Sequence, residues 1–344
     1  MPSGNYERYG LTGNPFRELA SENVEDVTLF HVNQETDAAL RSIREEVFDR
    51  ENRAVVAVTG VQGAGKTERL LLTAAEARER KAFCVYFDVT TKTPWLLKGL
   101  AAAFQAAAKD AGRMSVLGGP PWLRPLAALA RQREGQYDPT EAGRRIGEAL
   151  NASAPSFLLL NDLHNLVEMQ DVDSFVRTIE EITDVIKPGV LVMFGCYASY
   201  LAWLCVNHPA LGSRINRAMS LSGLSDDEAR LVLAKKLLAK RIVEELEPTY
   251  PFDRESVAEL NRAARGNPRR LLELADVVLE RAVATRAYQI DGELARAALV
   301  QRDGWVVGGQ TVDVGTSRPP TEGAATPEEV PAAPPKRRGL FGRA

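Results

Sequence analysis

The sequence predicts an α/β fold in which helices cover both faces of a mainly parallel sheet, followed by an all-α bundle and a disordered C-terminal tail. Short apolar runs alternate with helical stretches as far as about residue 222. Within this alternation, VAVTGVQGAGKTERLLL (56–72) joins a β-favouring run to a leucine-rich helical stretch through a glycine-rich turn. From residue 223 the strand signals stop and helical patterns follow.

The predicted elements divide the chain into four segments. Residues 1–50 contain a Gly-Asn-Pro turn and a helix over 34–50, residues 51–222 form the α/β core, residues 223–302 form the helical lid, and residues 303–344 are rich in Pro, Ala, Gly and Thr and predicted to be disordered. Strands are predicted at 56–59, 82–89, 156–162, 190–194 and 219–221. Helices are predicted at 93–111, 140–150, 172–186, 228–242, 254–264, 268–285 and 291–300, with an insertion at 112–137.

The turn at 60–67 has the spacing of a phosphate-binding loop, G-x-x-x-x-G-K-[ST], in the strand–turn–helix context that the motif requires. In such a loop the backbone N–H groups and the positive end of the helix surround a polyphosphate, and glycines allow the tight turn. Lys66 is expected on the β and γ phosphates and the Thr67 hydroxyl on Mg²⁺, so ATP and Mg²⁺ are the predicted cofactors. The predicted nucleotide contacts are Gly60, Gln62, Gly63, Ala64, Gly65, Lys66, Thr67 and Glu68.

A second apolar strand supplies the polar groups that hydrolysis needs. In SFLLLNDLHNL (156–166), Asn161 and Asp162 follow a buried run, and we expect them at the C-terminal edge of a strand beside the P-loop strand. Thr67, Asn161 and Asp162 are the predicted magnesium ligands, and Asp162 is the candidate catalytic carboxylate for the attacking water. A shifted register instead makes Asp162 the metal ligand and leaves His164 as the base.

Composition and charge place few limits on partners. With 45% hydrophobic and 26% charged residues and a formal net charge of −3, the chain has no global field that would attract DNA or an anionic membrane. The three cysteines cannot all pair, which predicts a cytoplasmic location. The N-terminus has no signal-peptide pattern, and polar residues interrupt the apolar stretch 189–206, which favours a buried strand and a covering helix over a transmembrane segment.

Local basic clusters leave DNA or protein binding open. RQREGQYDPTEAGRR (131–145) and AKKLLAKR (234–241) have acidic residues close by and fit either a solvated helix face or a stripe that follows phosphates. The last residues, KRRGLFGRA (336–344), combine basic and apolar groups. They either dock on an unidentified protein partner or form a solvated tail.

The region from residue 9 to about residue 285 resembles the AAA+ ATPases of the ExeA/TniB type, near the origin-recognition and replication-initiator branch. The resemblance implies an ATPase core, a helical lid, and homo-oligomeric rings or filaments with sites between subunits. It rests on YGLTGNPF (9–16), GVQGAGKT (60–67), FLLLND (157–162), GSRI (212–215) and GNPRRLLELAD (266–276).

Transferred by position, the resemblance implies further site residues. Arg269 is the lid arginine that contacts the γ-phosphate, and Arg214 is the finger that reaches into a neighbour's site. Arg270 competes with Arg269 for the first role, and Arg217 competes with Arg214 for the second. The residues implied to flank the adenine are Asn14, Pro15 and Phe16 and the stretch around Phe30 and His31.

Two positions depart from the family pattern. The family ends its second strand in Asp-Glu, whereas this chain has Asn161-Asp162. A neutral amide therefore takes the position expected to hold magnesium, and a shorter carboxylate takes the position expected to face the attacking water. The polar sensor expected after the fourth strand falls on Gly195-Cys196-Tyr197. The sequence therefore predicts tight Mg·ATP binding with slow hydrolysis.

Two functions fit such a switch. The first is nucleotide-dependent self-assembly that regulates a DNA-associated or transposition-helper-like machine. The alternative is an accessory ATPase of a secretion, envelope or membrane-associated complex. A monomeric, nucleotide-dependent interaction module is a third interpretation.

Overall fold

The protein is described from a computed structural model. The structure describes residues 6–17, 31–32, 34–90, 96–112, 119–129, 138–168, 172–243, 245–303, 305–307 and 310–312. The chain divides into two units, Met1–Leu299 and Val300–Ala344. The first unit contains the sheet, the helical lid as far as Leu299 and every candidate site residue.

Five parallel strands form the sheet of the first unit. They are β1 (Ala54–Thr59), β2 (Phe83–Asp88), β3 (Ser156–Asn161), β4 (Val190–Cys196) and β5 (Arg217–Ser220). Their order across the sheet is β2-β3-β4-β1-β5. Because every pairing is parallel, the carboxyl ends of the strands meet at one edge, and the P-loop follows β1 at that edge.

Helices cover both faces of this sheet. Successive residues of a strand point to opposite faces, and Val55 and Ala57 belong to one buried cluster while Val56 and Val58 belong to another. Burial on both faces explains why β1, β3 and β4 are continuously apolar instead of alternating. The covering helices are α1 (Glu35–Phe48), α2 (Lys66–Glu79), α3 (Leu96–Asp110), α4 (Leu123–Leu129), α5 (Pro139–Ala152), α6 (Val172–Val185), α7 (Ala198–Asn207) and α8 (Pro209–Arg214).

The lid is helical and starts with signals that are visible in the sequence. Its helices are α9 (Asp226–Leu238), α10 (Arg254–Ala264), α11 (Pro268–Thr285) and α12 (Gly292–Asp303). Ser225 and Glu228 form both hydrogen bonds of a capping box at the start of α9. Asn267 caps α11, with Pro268 at its first turn. These caps fix where the lid helices begin.

The N-terminal residues 6–17 pack on the lid. Tyr9 and Phe16 are fully buried in the same apolar cluster as the leucines of α10 and α11. The Tyr6 hydroxyl and the Asn14 amide both donate to the Glu280 carboxylate of α11. The turn predicted at Gly-Asn-Pro therefore anchors the beginning of the chain to the lid.

The structure confirms the parallel sheet with helices on both faces, and it corrects one neighbour relation. The strand ending at Asn161 was expected beside the P-loop strand, and this prediction is wrong because β4 lies between them. All seven residues of β4 are buried, which suits the central position better than the shorter β5 at the edge. The stretch 189–206 forms β4 and most of α7, and among the described helices none is long and apolar enough to cross a bilayer.

Within the segment predicted to be disordered, the structure describes two short antiparallel strands. These are β6 (Trp305–Val307) and β7 (Gln310–Val312) in the second unit. The predictions for residues 313–344, including the basic and apolar end, and for the helix start at 93–94 lie outside the described residues.

Candidate functional site

The P-loop joins β1 to α2 through a tight turn. Gly63 and Gly65 have φ angles of 79° and 96°, in the left-handed region that side chains disfavour. Gly65 is the N-cap of α2, so the unpaired N–H groups of the first turn of α2 lie at the loop. These groups and the helix dipole make the loop a suitable anion site.

Lys66 lies inside this loop. The residue is 6% exposed, and Nζ donates to the carbonyl oxygens of Gly60 and Val61, each at 2.9 Å. The Tyr197 ring centroid lies 4.8 Å from Nζ, within cation–π range. Burial lowers the pKa of Lys66, and the Asp162 carboxylate opposes this shift. The ammonium group is therefore held within the P-loop, by two of its carbonyl oxygens.

A chain of polar contacts runs from the P-loop along the sheet edge. The Thr67 hydroxyl donates to Asn161 Oδ1 at 3.1 Å. Asn161 Nδ2 in turn donates to Asp88 Oδ1 at 2.8 Å and, at 3.3 Å, to Asp162 Oδ2. The three predicted magnesium ligands thus lie together. Asp88 was not among the predicted site residues, although an acidic residue directly after a β run was its signal in the sequence.

Asn161 reaches Thr67 across β4 because Gly195 leaves space between them. A Cβ atom at Gly195 would lie 3.5 Å from Lys66 Cβ and 3.6 Å from Asn161 Oδ1. A methyl group fits there, but a longer side chain would enter the space that the contact uses. Gly195, the first of the three residues on which the resemblance placed a polar sensor, therefore has no side chain here, and the contact from β3 passes it. The third, Tyr197, lies with its ring beside Lys66 Nζ.

Asp162 and His164 were the alternatives for the group that faces water. Burial raises the pKa of Asp162, the Lys66 charge opposes this shift, and the Asp88 charge adds to it. Burial lowers the pKa of His164 to about 4, and its ring lies 3.8 Å from that of Tyr197. So low a pKa makes His164 a weak base. The assignment of Asp162 to the attacking water stays a prediction.

The lid helix α11 begins directly on the P-loop. Asn267 Nδ2 donates to the Gln62 carbonyl oxygen at 2.7 Å. A Cβ atom at Gly63 would lie 2.7 Å from Arg269 Cβ, so Arg269 packs against the loop. Both Arg269 and Arg270 have ion pairs with Glu273 of the same helix, at 3.7 and 3.6 Å, so these pairs do not distinguish them. Of the two competing lid arginines, Arg269 is the one that this geometry brings to the loop.

Arg214 lies away from the P-loop of its own chain. Arg214 is the last residue of α8, just before β5. Arg217, the first residue of β5, pairs with Val56 in the first half of β1. The P-loop, in contrast, follows the carboxyl end of β1. Arg214 Nη1 donates to the Glu180 carbonyl and Nη2 to Asp184 Oδ1, each at 2.8 Å. The structure therefore does not bring Arg214 together with the other predicted site residues.

Pro15 and Phe16 are also held apart from the loop contacts. Both are buried, and the Phe16 ring packs edge-to-face on Phe252 of the lid with centroids 5.8 Å apart. Their contact with adenine stays a prediction. Phe30 lies outside the described residues.

A buried network joins the first turn of α2 to α1, and little in the sequence points to it. His31 Nδ1 lies 2.7 Å from Glu68 Oε1, and His31 Nε2 lies 3.4 Å from Asp37 Oδ2. Arg69, which is 3% exposed, donates to Gln34 Oε1 at 2.7 Å and to Asp37 at 3.2 Å. Glu68, a predicted nucleotide contact, is thus engaged by His31.

The same network includes a residue of the lid. Its contacts also determine the protonation states of His31 and Asp37. Lys235 of α9 donates to the His31 carbonyl oxygen. Burial alone would lower the pKa of His31, but the contacts with the Asp37 and Glu68 carboxylates, at 3.4 and 2.7 Å, outweigh burial and raise it. Burial alone would raise the pKa of Asp37, but the adjacent His31 ring and the Arg69 charge hold it at about 2. The folded chain therefore favours protonated His31 between two carboxylates.

The free energy of unfolding should depend on this protonation. Because the pKa of His31 is raised by folding, its contribution is complete below the unfolded value of about 6.5 and is lost as the pH rises through the folded value. We expect His31→Ala to lower the free energy of unfolding by about 1 to 3 kcal/mol at pH 6, and by less at pH 9. Urea denaturation at both pH values measures the difference.

His208 provides the control, because its nearest carboxylates lie at 3.6 and 3.7 Å. The effect of His208→Ala on the free energy of unfolding should be smaller than that of His31→Ala. An effect of His31→Ala that is equal at pH 6 and pH 9 would contradict the assignment of a charged His31.

Comparisons with known proteins bear on the fold. No protein-family model matches the chain, and no curated protein matches significantly. The solved ORC2 protein of Aeropyrum pernix, in ADPNP and ADP complexes, is similar with a TM-score of 0.52 at 16% identity, over 81% of this chain and 72% of that one. The ORC1 protein of Aeropyrum pernix in complex with DNA has a TM-score of 0.51 at 16% identity, over 83% and 68%.

At this level of identity the similarity concerns the fold, which the chain shares with these two proteins. The RuvB Holliday junction branch migration motor of Thermotoga maritima has a lower TM-score, 0.47, at 16% identity over 83% of this chain and 73% of that one.

The residues at the loop fit Mg·ATP. Magnesium prefers oxygen ligands and is usually held by few protein groups together with substrate phosphates. Thr67 Oγ1 and Asn161 Oδ1 lie 3.1 Å apart, and the carboxylates of Asp88 and Asp162 border them. When bound, magnesium would neutralise charge on the phosphate oxygens. Thr67 and Asn161 are the side chains placed to hold it.

Proposed function

We propose that this chain is an ATP-binding AAA+ switch whose nucleotide state controls its assembly. The observation that carries the proposal is the contact of the lid with the P-loop. Asn267 donates to the Gln62 carbonyl, and Arg269 packs on Gly63. Because the loop also surrounds the phosphates, a change between triphosphate and diphosphate alters the surface on which α11 begins.

Hydrolysis in this proposal is slow. Asn161 brings no negative charge to the metal, so it supports magnesium less strongly than an aspartate. Asp162 is short and half-buried, which limits its reach to the attacking water. We therefore propose ATP turnover below about 1 s⁻¹ without a partner. Phosphate release by the isolated chain measures this rate, and a faster turnover would contradict the proposal.

Assembly is proposed to complete the site through Arg214. The position of Arg214 on the side of the sheet away from its own P-loop suits a residue that serves a neighbouring copy. Its ion pair with Asp184 is 29% exposed on the arginine side, so the guanidinium is accessible to a partner. A homo-oligomer with sites between copies follows.

Replacing Arg214 with alanine tests this role. We expect Arg214→Ala to leave ATP affinity unchanged and to lower ATP turnover at high protein concentration about 10-fold or more, because an arginine in trans stabilises the transition state. Phosphate release over a range of protein concentrations measures the effect. Arg217→Ala is the matched control and should retain turnover. A loss in Arg217→Ala with none in Arg214→Ala would contradict the assignment.

The proposed client is a DNA-associated machine in the cytoplasm. The similar ORC1 structure is a complex with DNA, which motivates a test of DNA as a ligand. Within the described part of the two basic clusters, Arg144 and Arg145 pair with Glu141, and Lys235 donates to His31. These charges are engaged within the chain, so we propose that DNA binding requires the ATP-assembled form.

One experiment addresses these proposals together. Light scattering and negative-stain microscopy of the full chain would compare ATP, ADP and added DNA. We expect larger particles with ATP than with ADP, and salt-sensitive DNA binding in ATP alone. A monomeric mass in the presence of ATP would contradict the proposal that the nucleotide controls assembly. Assembly without DNA binding would overturn only the DNA-associated client.

A further inference from the structure

Asp88 ends β2 directly beside Asn161. The register of β2 and β3 pairs the two residues, and Asp88 Oδ1 accepts from Asn161 Nδ2 at 2.8 Å. The Tyr86 hydroxyl donates to the same oxygen at 3.0 Å. Asp88 is itself exposed, so two hydrogen bonds hold a carboxylate at an open edge of the sheet.

This contact, at 2.8 Å, is the shorter of the two hydrogen bonds that turn the NH₂ end of the Asn161 amide away from the P-loop; the other, to Asp162 Oδ2, is 3.3 Å long. A carboxamide has a donor end and an acceptor end, and only its oxygen can bind a cation. An ionised carboxylate accepts hydrogen bonds and donates none, so Asp88 can face only the NH₂ end of Asn161. Thr67 does not fix the amide by itself, because a hydroxyl both donates and accepts. With Asp88 in place, Oδ1 faces Thr67.

Asp88 also supplies the charge that β3 lacks at this point. A carboxylate at position 161 would bring a negative charge to the metal, whereas the amide brings none. The Asp88 carboxylate is hydrogen-bonded to the NH₂ end of the Asn161 carboxamide, whose oxygen end contacts Thr67. A charge-assisted hydrogen bond at one end of an amide polarises the group and makes its oxygen a better ligand.

We propose that Asp88 is a positioning residue that makes Asn161 a magnesium ligand. The inference rests on the proposed function, because it needs Mg·ATP at the P-loop. In this account Asp88 touches neither the nucleotide nor the metal, and it acts through the orientation and polarity of Asn161. The pair of Asp88 and Asn161 together replaces a single carboxylate on β3.

The test measures ATP affinity of the full chain by fluorescence anisotropy, with Mg²⁺ and with EDTA. The ratio of the two affinities reports the magnesium contribution and does not depend on turnover. In Asp88→Asn the new amide can donate to Asn161 and turn its NH₂ group towards the metal. We expect the ratio to fall about 10-fold or more, the usual effect of removing a partner of a metal ligand. Asp110→Asn, an exposed change at the end of α3, should leave the ratio unchanged.

The double variant Asp88→Asn/Asn161→Asp separates positioning from a merely structural role. It reverses the pair, so that the new amide at position 88 donates to a carboxylate that faces Thr67, and the ratio should return at least to the wild-type value. A double variant that stays as low as Asp88→Asn, or an Asp88→Asn ratio equal to wild type, would overturn the inference while EDTA binding still supports the nucleotide site. Absence of ATP binding by the wild type in either condition would overturn the proposed function itself.

Discussion

Replacing Lys66 with alanine is expected to abolish ATP binding. Lys66 Nζ donates to two carbonyl oxygens of the P-loop at 2.9 Å, so the ammonium group lies within the loop. Charge-assisted hydrogen bonds to phosphate are among the strongest polar contacts, and without Lys66 the loop amides alone face the phosphate charge. We expect ATP affinity to fall about 100-fold or more. Fluorescence anisotropy with a labelled ATP analogue measures the change.

Lys109→Ala is the control for this experiment. Lys109 is exposed in the last turn of α3, away from the loop, and its removal should leave ATP affinity within about twofold. Circular dichroism should show that both variants are folded, because neither lysine is a member of the apolar clusters that cover the sheet. Full ATP affinity in folded Lys66→Ala would contradict the site assignment.

The second large effect is expected for Gly63→Ala, which should separate the lid from the P-loop. Gly63 has a φ of 79°, and a Cβ atom there would lie 2.7 Å from Arg269 Cβ and 2.8 Å from Asn267 Oδ1. Neither Arg269 Cβ nor the cap residue of α11 can move alone, so the lid helix must shift. We expect ATP affinity to fall about 10-fold or more, since each lost polar contact contributes about 1 kcal/mol and backbone strain adds about 1 to 2 kcal/mol.

Gly112→Ala distinguishes the collision from backbone strain. Gly112 has a φ of 64°, but among the described residues a Cβ atom there would have no neighbour within 4 Å. This variant should lose stability in thermal denaturation and keep its ATP affinity. Equal losses of affinity in the two glycine variants would show that strain alone, and not the lid contact, explains the effect.

The fold and the loop were predictable because their signals are local. The P-loop motif, the capping box of α9 and the Asn-Pro start of α11 each depend on residues within a few positions of one another. The start and end of α10 and of α11 match the predicted bounds. Continuous apolar runs correctly indicated a sheet covered on both faces, because a strand buried on both sides has no alternation.

The lateral order of the strands was not predictable from the same signals. An apolar run shows that a strand is buried, but not which strands are its neighbours. The expectation that β3 adjoins β1 failed for this reason, since β4 takes the place between them. Asn161 still contacts Thr67, and the small Gly195 of β4 leaves space beside this contact.

Contacts between distant segments were likewise hidden in the sequence. Asp88 and Asn161 are 73 residues apart, and the donor that holds the P-loop carbonyl, Asn267, is 205 residues from Gln62. Periodicity and motif spacing report neighbours along one element, whereas these pairs depend on how elements pack. The resemblance predicted Arg269 as the lid arginine, with Arg270 as its competitor. Only the packing of α11 on the P-loop distinguishes the two arginines.

Calorimetric titration of ATP into the wild-type chain with Mg²⁺ present tests the central claim most directly. The claim is that the amides from Gly60 to Thr67 surround the phosphates while α11 begins on the same loop. It predicts saturable heat with one nucleotide bound per chain. Absence of binding heat from a protein that circular dichroism shows to be folded would contradict the account.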